Sequence, residues 1–287
     1  MRNILRGGIA ALAATAVVVA TAAAPSAAIT GGNPDGEGHP NVGLILFYED
    51  SGRYRCTATL VNPTTLITAA HCVATDGLTI VTFSSVIAEA PPSGLPAAAV
   101  PAEGYAPSDI TGKTGFYLGQ AVAHPDYSNF TDLDTWNDVA VVHLTTAVAG
   151  ITPATIAPEN FLERYRPANV LGKTSFELVG YGTEVRKSDT GPQKPTPQSY
   201  PLIRRVAFSP GQKMIDQVVQ MNGNINDNRG TGGTCFGDSG GPSFISGYLV
   251  TVTSYGLTQN CRYIGGYQRV DIPGVQQFLM DEGVLVS

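Results

Sequence analysis

The chain from Asn41 onward alternates short apolar runs with turn residues. The runs are rich in Val, Ile, Thr and Leu and are bounded by Pro, Gly or polar residues, a pattern typical of β-strands. The first series of predicted strands is Val42–Tyr48, Cys56–Val61, Thr65–Thr68, Leu78–Phe83, Gln120–His124 and Val139–Leu144. The second series is Asn169–Leu171, Phe176–Tyr181, Ile203–Phe208, Met214–Val219, Gly241–Ile245, Leu249–Tyr255 and Gly266–Val270. Two such series predict an all-β protein built from two small antiparallel barrels.

The remaining segments predict loops and one helix. Ala90–Gly119 and Glu184–Pro201 are rich in Pro and in small or polar residues, which favours surface loops. Near the C-terminus, Asp271 is a candidate helix cap, and Pro273 suits the first helical turn. The apolar face of this helix would consist of Val275, Phe278 and Leu279.

The composition agrees with a turn-rich globular protein. The 287 residues include 33 Gly and 20 Pro, 43% are hydrophobic, and 14% are charged. A chain of this length forms one large or two modest domains with a sizeable core. The formal net charge of −6 argues against a nucleic-acid partner, because the phosphate backbone repels an acidic protein.

Residues 1–28 have the pattern of an export signal. Arg2 and Arg6 form a basic start, the Ala-rich apolar run Ile9–Ala24 follows, and Ser26-Ala27-Ala28 provides the small residues that signal peptidase prefers. A membrane anchor is the alternative, but the apolar run is shorter than the roughly 20 residues that span a bilayer. We therefore expect a secreted, extracellular protein that begins at Ile29 and does not associate with membranes.

Four cysteines follow the signal, namely Cys56, Cys72, Cys235 and Cys261. An even number in an exported chain predicts two disulfides, and counting alone leaves three pairings open. A zinc site is the alternative interpretation. It is disfavoured because no two cysteines have the close spacing of zinc ligands and no His pair completes a ligand set. We expect no metal and no other cofactor.

The segment Gly237-Asp238-Ser239-Gly240-Gly241-Pro242 is the strongest candidate for chemistry. A serine hydroxyl becomes an effective nucleophile when a base removes its proton. It also needs room for a carbonyl to approach and backbone N–H groups directed at the oxyanion, and flanking glycines favour both. Taken alone, the motif has an alternative interpretation as a Gly-rich turn with an incidental Ser.

Two further motifs supply partners for this serine. Thr68-Ala69-Ala70-His71-Cys72 places His71 after an apolar run, among small residues that leave its ring unobstructed. Asn137-Asp138-Val139-Ala140-Val141-Val142 places Asp138 directly before an apolar strand. Such an Asp is ordinarily a strand-edge cap. Its functional role would be to accept the proton on His71 Nδ1 and stabilise the imidazolium.

In chain order and motif, His71, Asp138 and Ser239 resemble the triad of the chymotrypsin-like (trypsin-like) serine endopeptidase family. Further matches are Ile29-Thr30-Gly31-Gly32, His124-Pro125, Gly180-Tyr181-Gly182-Thr183 and Ser254-Tyr255-Gly256. The resemblance implies two six-stranded antiparallel Greek-key β-barrels, with the active site between them and a short C-terminal helix. It predicts a peptidase domain at residues 29–287, with the barrels at 29–148 and 149–270 and the helix at 271–287.

The resemblance also implies the catalytic roles. Ser239 would attack the scissile carbonyl and form an acyl-enzyme, and His71 would act as general base and then as general acid. Asp138, helped by Ser254, would orient His71. The backbone N–H groups of Gly237 and Ser239 would form the oxyanion hole.

Three structural pairs follow from the same resemblance. The disulfides would be Cys56–Cys72, beside His71, and Cys235–Cys261, beside the substrate pocket. The free amine of Ile29 would insert into the protein and pair with Asp238. Because a buried charge left unpaired is costly, this ion pair would switch the enzyme on.

The implied substrate pocket consists of Gly233 at its floor and of Thr234, Ser254, Tyr255, Gly256 and Gly265 in its walls. The floor has no acid, and the glycines leave the pocket open. We therefore predict cleavage after large apolar residues such as Phe, Tyr or Leu. An acid reaching in from another loop would favour Arg or Lys instead, and Asp227 is the nearest acid in the sequence.

The expected function is that of a monomeric secreted serine endopeptidase. Its partners would be protein or peptide substrates and protein inhibitors of proteases. A non-catalytic binding protein on the same fold is one alternative, although such relatives usually lack a triad residue. An esterase of the α/β-hydrolase type is another, because Gly237-Asp238-Ser239-Gly240-Gly241 fits Gly-x-Ser-x-Gly. In those enzymes, however, the serine precedes the acid and the His, whereas Ser239 comes last.

Overall fold

The computed structural model describes residues 29–73, 77–185 and 198–286. The predicted export signal, residues 1–28, lies outside this range, as does most of the loop predicted at Glu184–Pro201. Across the three described ranges, no helix is long and apolar enough to cross a bilayer.

A closed barrel forms the first half of the described chain. The strands of this half are Asn33–Pro34 (β1), Val42–Glu49 (β2), Gly52–Asn62 (β3), Thr65–Thr68 (β4), Thr79–Thr82 (β5), Val86–Ala88 (β6), Tyr117–Ala123 (β7) and Ala140–Leu144 (β8). Six of them, β2, β3, β4, β8, β7 and β5, close in that order into an antiparallel barrel. Ile45, Leu60 and Val142 are among the buried side chains of its interior.

The second half contains a second ring of strands. Its strands are Thr155–Ile156 (β9), Ser175–Gly180 (β10), Glu184–Val185 (β11), Gln198–Ser199 (β12), Leu202–Ile203 (β13), Arg205–Met214 (β14), Val218–Asn222 (β15), Pro242–Ile245 (β16), Tyr248–Gly256 (β17) and Ile264–Arg269 (β18). Strands β14, β10, β16, β17, β18 and β15 pair in succession, and β15 pairs back with β14. The predicted fold of two six-stranded antiparallel barrels is therefore confirmed.

Two short α-helices accompany these strands in the described ranges, Ala168–Leu171 (α1) and Pro273–Asp281 (α2). The buried side chains of α2 include the predicted Val275, Phe278 and Leu279. The prediction that Asp271 caps α2 is wrong, because this helix has no side-chain cap. The buried Asp271 carboxylate instead accepts hydrogen bonds from the Arg269 guanidinium and the backbone N–H of Leu162.

Two predicted strands differ from the structure. Asn169–Leu171 belongs to α1, where Leu171 is buried against β14. Met214–Val219 spans the end of β14, a tight turn and the start of β15, and the Ile215 N–H closes the turn on the Val218 carbonyl at 2.9 Å. Both segments have apolar residues at strand-like density, which hides the helical turn of the first and the chain reversal within the second.

The predicted loop Ala90–Gly119 is partly ordered into short 3-10 helices at Pro101–Glu103 and Pro107–Ile110. Tyr105 anchors it, because its buried ring packs edge-on against Tyr48 of β2 at a centroid distance of 5.1 Å. The loop therefore covers the outside of the first barrel.

A cluster of buried side chains joins the two barrels and α2. It includes Leu44 and Val141 from the first barrel, Val179 and Phe244 from the second, and Phe278 from α2. Because the barrels share this core, the loops at their junction have a fixed position relative to each other.

Candidate active site

His71 and Asp138 reach the same place because their strands are paired. His71 lies in the 3-10 turn Ala70–Cys72 shortly after β4, and Asp138 lies shortly before β8. Thr68 of β4 pairs with Ala140 of β8. Because β4 and β8 are antiparallel, the residues just after β4 and the residues just before β8 lie at the same end of the barrel.

Asp138 is completely buried and binds His71 through both carboxylate oxygens. Its Oδ1 accepts the backbone N–H of His71 at 3.0 Å, and its Oδ2 accepts the ring Nδ1 at 2.8 Å. The Ser254 hydroxyl also donates to Oδ2, at 2.5 Å. With the Nδ1 proton held by a carboxylate, the neutral imidazole has Nε2 as its basic nitrogen.

Ser239 lies in the loop between β15 and β16, which Thr57 of β3 holds against the first barrel. The Thr57 N–H donates to the Ser239 carbonyl at 2.8 Å, and its hydroxyl donates to the Gly237 carbonyl at 2.9 Å. Gly237 and Gly240 have φ angles of +98° and +74°. A Cβ on Gly240 would stand 2.0 Å from Thr68 Oγ1, so no larger residue fits there.

Two backbone donors beside the nucleophile are unengaged. The N–H groups of Asp238, Gly240 and Gly241 donate to backbone carbonyls. Those of Gly237 and Ser239 donate to no residue that the structure describes. Donors of this kind, held by a rigid loop, can stabilise the negative oxygen of a tetrahedral intermediate.

Ser239 and His71 line one cavity of about 370 Å³. The His71 side chain is 21% exposed, so its ring is accessible from this cavity. Within the described ranges no hydrogen bond joins His71 to the Ser239 hydroxyl. Catalytic hydrogen bonds of unliganded enzymes are often long and shorten when substrate binds.

Most of the predicted pocket residues line this cavity, namely Thr234, Ser254, Tyr255, Gly256 and Gly265. Gly233 does not, because it packs behind Gly223: a Cβ on Gly233 would stand 2.4 Å from the Gly223 Cα. Gly223 occupies the wall in its place. Aromatic and aliphatic residues complete the lining, among them Phe130, Phe236, Tyr263, Ile264 and Tyr267.

The cavity has no carboxylate among the described residues that line it. The hydroxyl of the fully buried Tyr267 shares a hydrogen bond of 2.9 Å with the Thr234 hydroxyl, and burial raises the pKa of Tyr267 to about 12. Asp227 instead binds Arg229 at 2.8 Å, and hydrogen bonds from Arg229 lower the pKa of Asp227 to about 2. The pocket is therefore open, largely apolar and uncharged.

Asp238, next to the nucleophile, is a buried carboxylate that forms no ion pair with any described residue, although the charge of nearby Arg55 acts on it. It accepts the backbone N–H groups of Gly182 at 2.7 Å and Cys235 at 2.8 Å. None of the ion pairs between described residues includes it. Burial raises the pKa of Asp238 to about 7, even though these hydrogen bonds oppose the shift.

The segment that begins at Ile29 is inserted beside the same loop. Ile29 and Thr30 are completely buried. The Thr30 carbonyl accepts the Gly233 N–H at 3.0 Å. A Cβ on Gly232 would stand 1.5 Å from the Thr30 oxygen, so the two backbone segments are in direct contact.

Two disulfides flank the site. Cys56–Cys72 joins β3 to the turn that holds His71, and a His71 ring nitrogen lies within 4.8 Å of both sulfur atoms. Because the sulfurs are bonded to each other, they are not available as metal ligands. Cys235–Cys261 joins the Ser239 loop to the segment between β17 and β18, and both of its cysteines line the cavity.

Three aromatic residues of the site were not identified from the sequence. Trp136 donates its indole N–H to Ser254 Oγ at 2.9 Å. The ring of Phe130 lies 5.4 Å from that of His71 between centroids, and Phe236, which is 58% exposed, lines the cavity. Only Trp136 has a sequence signal, namely its place directly beside the Asn137-Asp138 motif.

The chain resembles known proteins along most of its length. The family model described as Trypsin matches residues 29–275. Brachyurin from Leptuca pugilator is 28% identical over 240 residues, which cover 78% of this chain and 86% of that protein.

Solved structures resemble the whole fold. HL collagenase has a TM-score of 0.60 and 17% identity, covering 90% of this chain and 100% of that one. The structure named GrC has a TM-score of 0.59 and 18% identity, and the match covers 89% of this chain and 99% of that one. Human heparin binding protein has a TM-score of 0.56 and 16% identity, and the match covers 88% of this chain and 96% of that one. At such identities the likeness establishes the fold alone.

Proposed function

Because the chain belongs to the trypsin family of chymotrypsin-like serine endopeptidases, we propose that Ser239, His71 and Asp138 are its catalytic triad. The main support is the geometry of Asp138, whose buried carboxylate binds both the ring Nδ1 and the backbone N–H of His71. This double contact leaves the imidazole one orientation and one neutral tautomer. The basic nitrogen, Nε2, is then available to Ser239, because His71 and Ser239 line the same cavity.

In the proposed mechanism, His71 Nε2 accepts the Ser239 hydroxyl proton while Oγ attacks the scissile carbonyl. The carbonyl oxygen becomes negative and accepts the N–H groups of Gly237 and Ser239, each typically worth about 3 kcal/mol of transition-state stabilisation. The imidazolium then protonates the leaving amine, which departs and leaves an acyl-enzyme. Water hydrolyses this ester by the same route, and Asp138 stays ionised throughout.

We propose that the cavity receives a large apolar side chain from the residue before the cleaved bond. A volume of about 370 Å³ accommodates an aromatic ring, and the Thr234–Tyr267 hydroxyl pair in its lining is neutral. A Lys or Arg side chain would be buried there without a carboxylate partner. The loss of its hydration would then be uncompensated.

A panel of peptides that differ only in this residue tests the proposal. We expect kcat/KM for Phe, Tyr or Leu to exceed that for Arg or Lys by about a hundredfold or more, because an unpaired buried charge costs several kcal/mol. Preference for Arg or Lys in the wild-type protein would contradict the assignment.

Gly256→Val is the matched variant for the peptide panel. Apart from its chain neighbours, a Cβ on Gly256 would meet nothing nearer than the Thr258 carbonyl oxygen at 4.0 Å, so a side chain there leaves the fold undisturbed. Because Gly256 lines the cavity, the valine should narrow it. We expect the variant to lose activity toward Phe and Tyr by at least tenfold while it retains cleavage after Ala.

We further propose that residues 1–28 direct secretion and that their removal creates the active N-terminus. The buried Ile29 segment already contacts the loop before Asp238, and the Asp238 carboxylate forms no ion pair within the described ranges, where Arg55 acts on it only from a distance. Ile29 also has a φ of +48°, which is unfavourable for a β-branched residue. Cutting the bond before Ile29 removes this constraint and supplies an ammonium that can form a direct ion pair with Asp238.

The kcat/KM of protein that begins at Ile29 should exceed that of protein that retains Ala28 by about a hundredfold or more. The reason is that one partner of a buried ion pair is missing in the longer protein, which typically costs 3–5 kcal/mol. Both proteins can be released from a fusion with defined N-termini and compared by kcat/KM per titrated site. N-terminal sequencing of the secreted protein should give Ile29.

Two controls accompany the N-terminal comparison. Asp238→Asn in the shorter protein should lower activity to a similar extent, and retaining Ala28 should then add no further loss. The longer protein should also lose stability as the pH rises from about 4 to about 7, because its folded state holds a proton on Asp238 that the unfolded state releases earlier. Equal activity of the longer and shorter proteins would refute the ion pair.

A non-catalytic binding role is the second candidate, since human heparin binding protein shares this fold. The intact His71–Asp138 contact and the two unengaged N–H donors favour catalysis. The net charge of −6 also opposes binding of a polyanion. The partners that follow are protein or peptide substrates, together with protein inhibitors that occupy the same cleft of a monomeric enzyme.

A further inference from the structure

Trp136 is joined to the proposed triad through one hydroxyl group. Its indole N–H donates to Ser254 Oγ at 2.9 Å, and Ser254 Oγ donates to Asp138 Oδ2 at 2.5 Å. All three side chains are at least nine-tenths buried. The chain has 1 Trp, so this contact involves its sole indole.

The chemistry of these groups fixes the direction of both hydrogen bonds. An indole N–H is only a donor, whereas a hydroxyl has one proton and two lone pairs. Ser254 must therefore accept from Trp136 and is left to donate its single proton to Asp138. Without the indole, the hydroxyl of Ser254 would be free to turn its proton elsewhere.

We propose that Trp136 is a positioning residue of the catalytic site that acts through Ser254, an inference that rests on the proposed function. By holding the Ser254 proton on Asp138 Oδ2, it keeps the carboxylate aligned with His71 Nδ1. Consecutive hydrogen bonds in a buried network also polarise one another, which strengthens the contact to Asp138.

The packing of the indole connects this network to the substrate cavity. Trp136 lies edge-on to Phe130 at 5.2 Å and to Tyr255 at 5.3 Å between ring centroids. Both of these rings line the cavity, and Phe130 also lies 5.4 Å from the His71 ring. The indole is thus held in place by the cavity wall and in turn holds the acid of the triad.

Trp136→Phe tests the proposal, because it keeps an aromatic ring and removes the N–H. Loss of one neutral hydrogen bond in a buried network should lower kcat per titrated site about five- to tenfold, with KM changed less than twofold. In a Ser254→Ala background the same substitution should lower kcat less than twofold, since the hydroxyl through which Trp136 acts is gone. Effects that multiply in the double variant would overturn the proposal.

Tyr127→Phe is the matched control. The Tyr127 ring also packs on Phe130, at 5.7 Å, and its buried hydroxyl has no hydrogen-bond partner within the described part of the chain. Removing this hydroxyl should change kcat less than twofold. A loss equal to that of Trp136→Phe would show that any change in the aromatic cluster impairs the site, and the specific role of the indole N–H would be refuted.

Fluorescence tests the same contact without any turnover. Because Trp136 is the sole tryptophan, Ser254→Ala should shift the emission of the folded protein by removing the acceptor of the indole N–H. An unchanged spectrum would overturn the proposal. Failure of the wild-type protein to cleave any peptide would refute the proposed function instead, and the fluorescence result would still decide whether Trp136 binds Ser254.

Discussion

Ser239→Ala should abolish peptide cleavage, lowering kcat by about a millionfold while peptide binding persists. The hydroxyl is the atom that forms the acyl-enzyme, and no neighbouring group can replace it. Of the cysteines, all four are engaged in the two disulfides, so no free thiol offers an alternative nucleophile. The residual rate would come from the oxyanion donors and substrate binding alone.

A fluorophosphonate probe provides the direct measurement. It should label the wild-type protein at Ser239, identified by mass spectrometry of the modified peptide, and should leave Ser239→Ala unlabelled. Ser246→Ala is the control, because Ser246 is an exposed serine in the turn between β16 and β17. Its labelling and activity should equal those of wild type. Labelling that survives in Ser239→Ala would place the nucleophile elsewhere and would favour a binding role for this cleft.

The three chemical motifs could be assigned from sequence because each is local. The glycines around Ser239 reflect real steric limits, since a Cβ at Gly240 would collide with Thr68. His71 and Asp138 were assigned by their motifs, and the pairing of Thr68 with Ala140 explains why they meet. Most predicted strands are also found in the barrels. Their apolar runs could be recognised because the barrels bury those residues.

The residues that sequence analysis missed depend on the path of loops. Phe130 follows Asn129 through a left-handed turn, with φ angles of +62° and +50°, and only this turn brings its ring to His71. The family resemblance implies Gly233 at the pocket floor. The loop instead packs Gly233 against Gly223, so Gly223 lines the cavity. Neither outcome has a local sequence signal.

The same limit applies to Thr57. It is an unremarkable residue within a predicted strand, yet its N–H and hydroxyl hold the Ser239 loop by two hydrogen bonds. Contacts across the barrel junction join residues far apart in the chain, and a single sequence contains no periodicity that reports them.

Asp138→Asn should lower kcat by about ten-thousandfold, although the substituted side chain has nearly the same shape. The His71 backbone N–H donates to the Oδ1 position, so an asparagine must place its carbonyl oxygen there. Its amide NH₂ group then occupies the Oδ2 position and faces both His71 Nδ1 and the Ser254 hydroxyl, which must turn its proton away. Two donors cannot share a hydrogen bond, so the imidazole takes the tautomer with its proton on Nε2.

This tautomer has no basic nitrogen facing the nucleophile, which accounts for the size of the loss. The opposite amide orientation would set the NH₂ group against the His71 backbone N–H and is disfavoured for the same reason. The ¹⁵N chemical shifts of the His71 ring report which nitrogen is protonated, and they should exchange between wild type and variant while the melting temperature changes little. Activity within about tenfold of wild type, or an unchanged tautomer, would show that Asp138 does not orient the base.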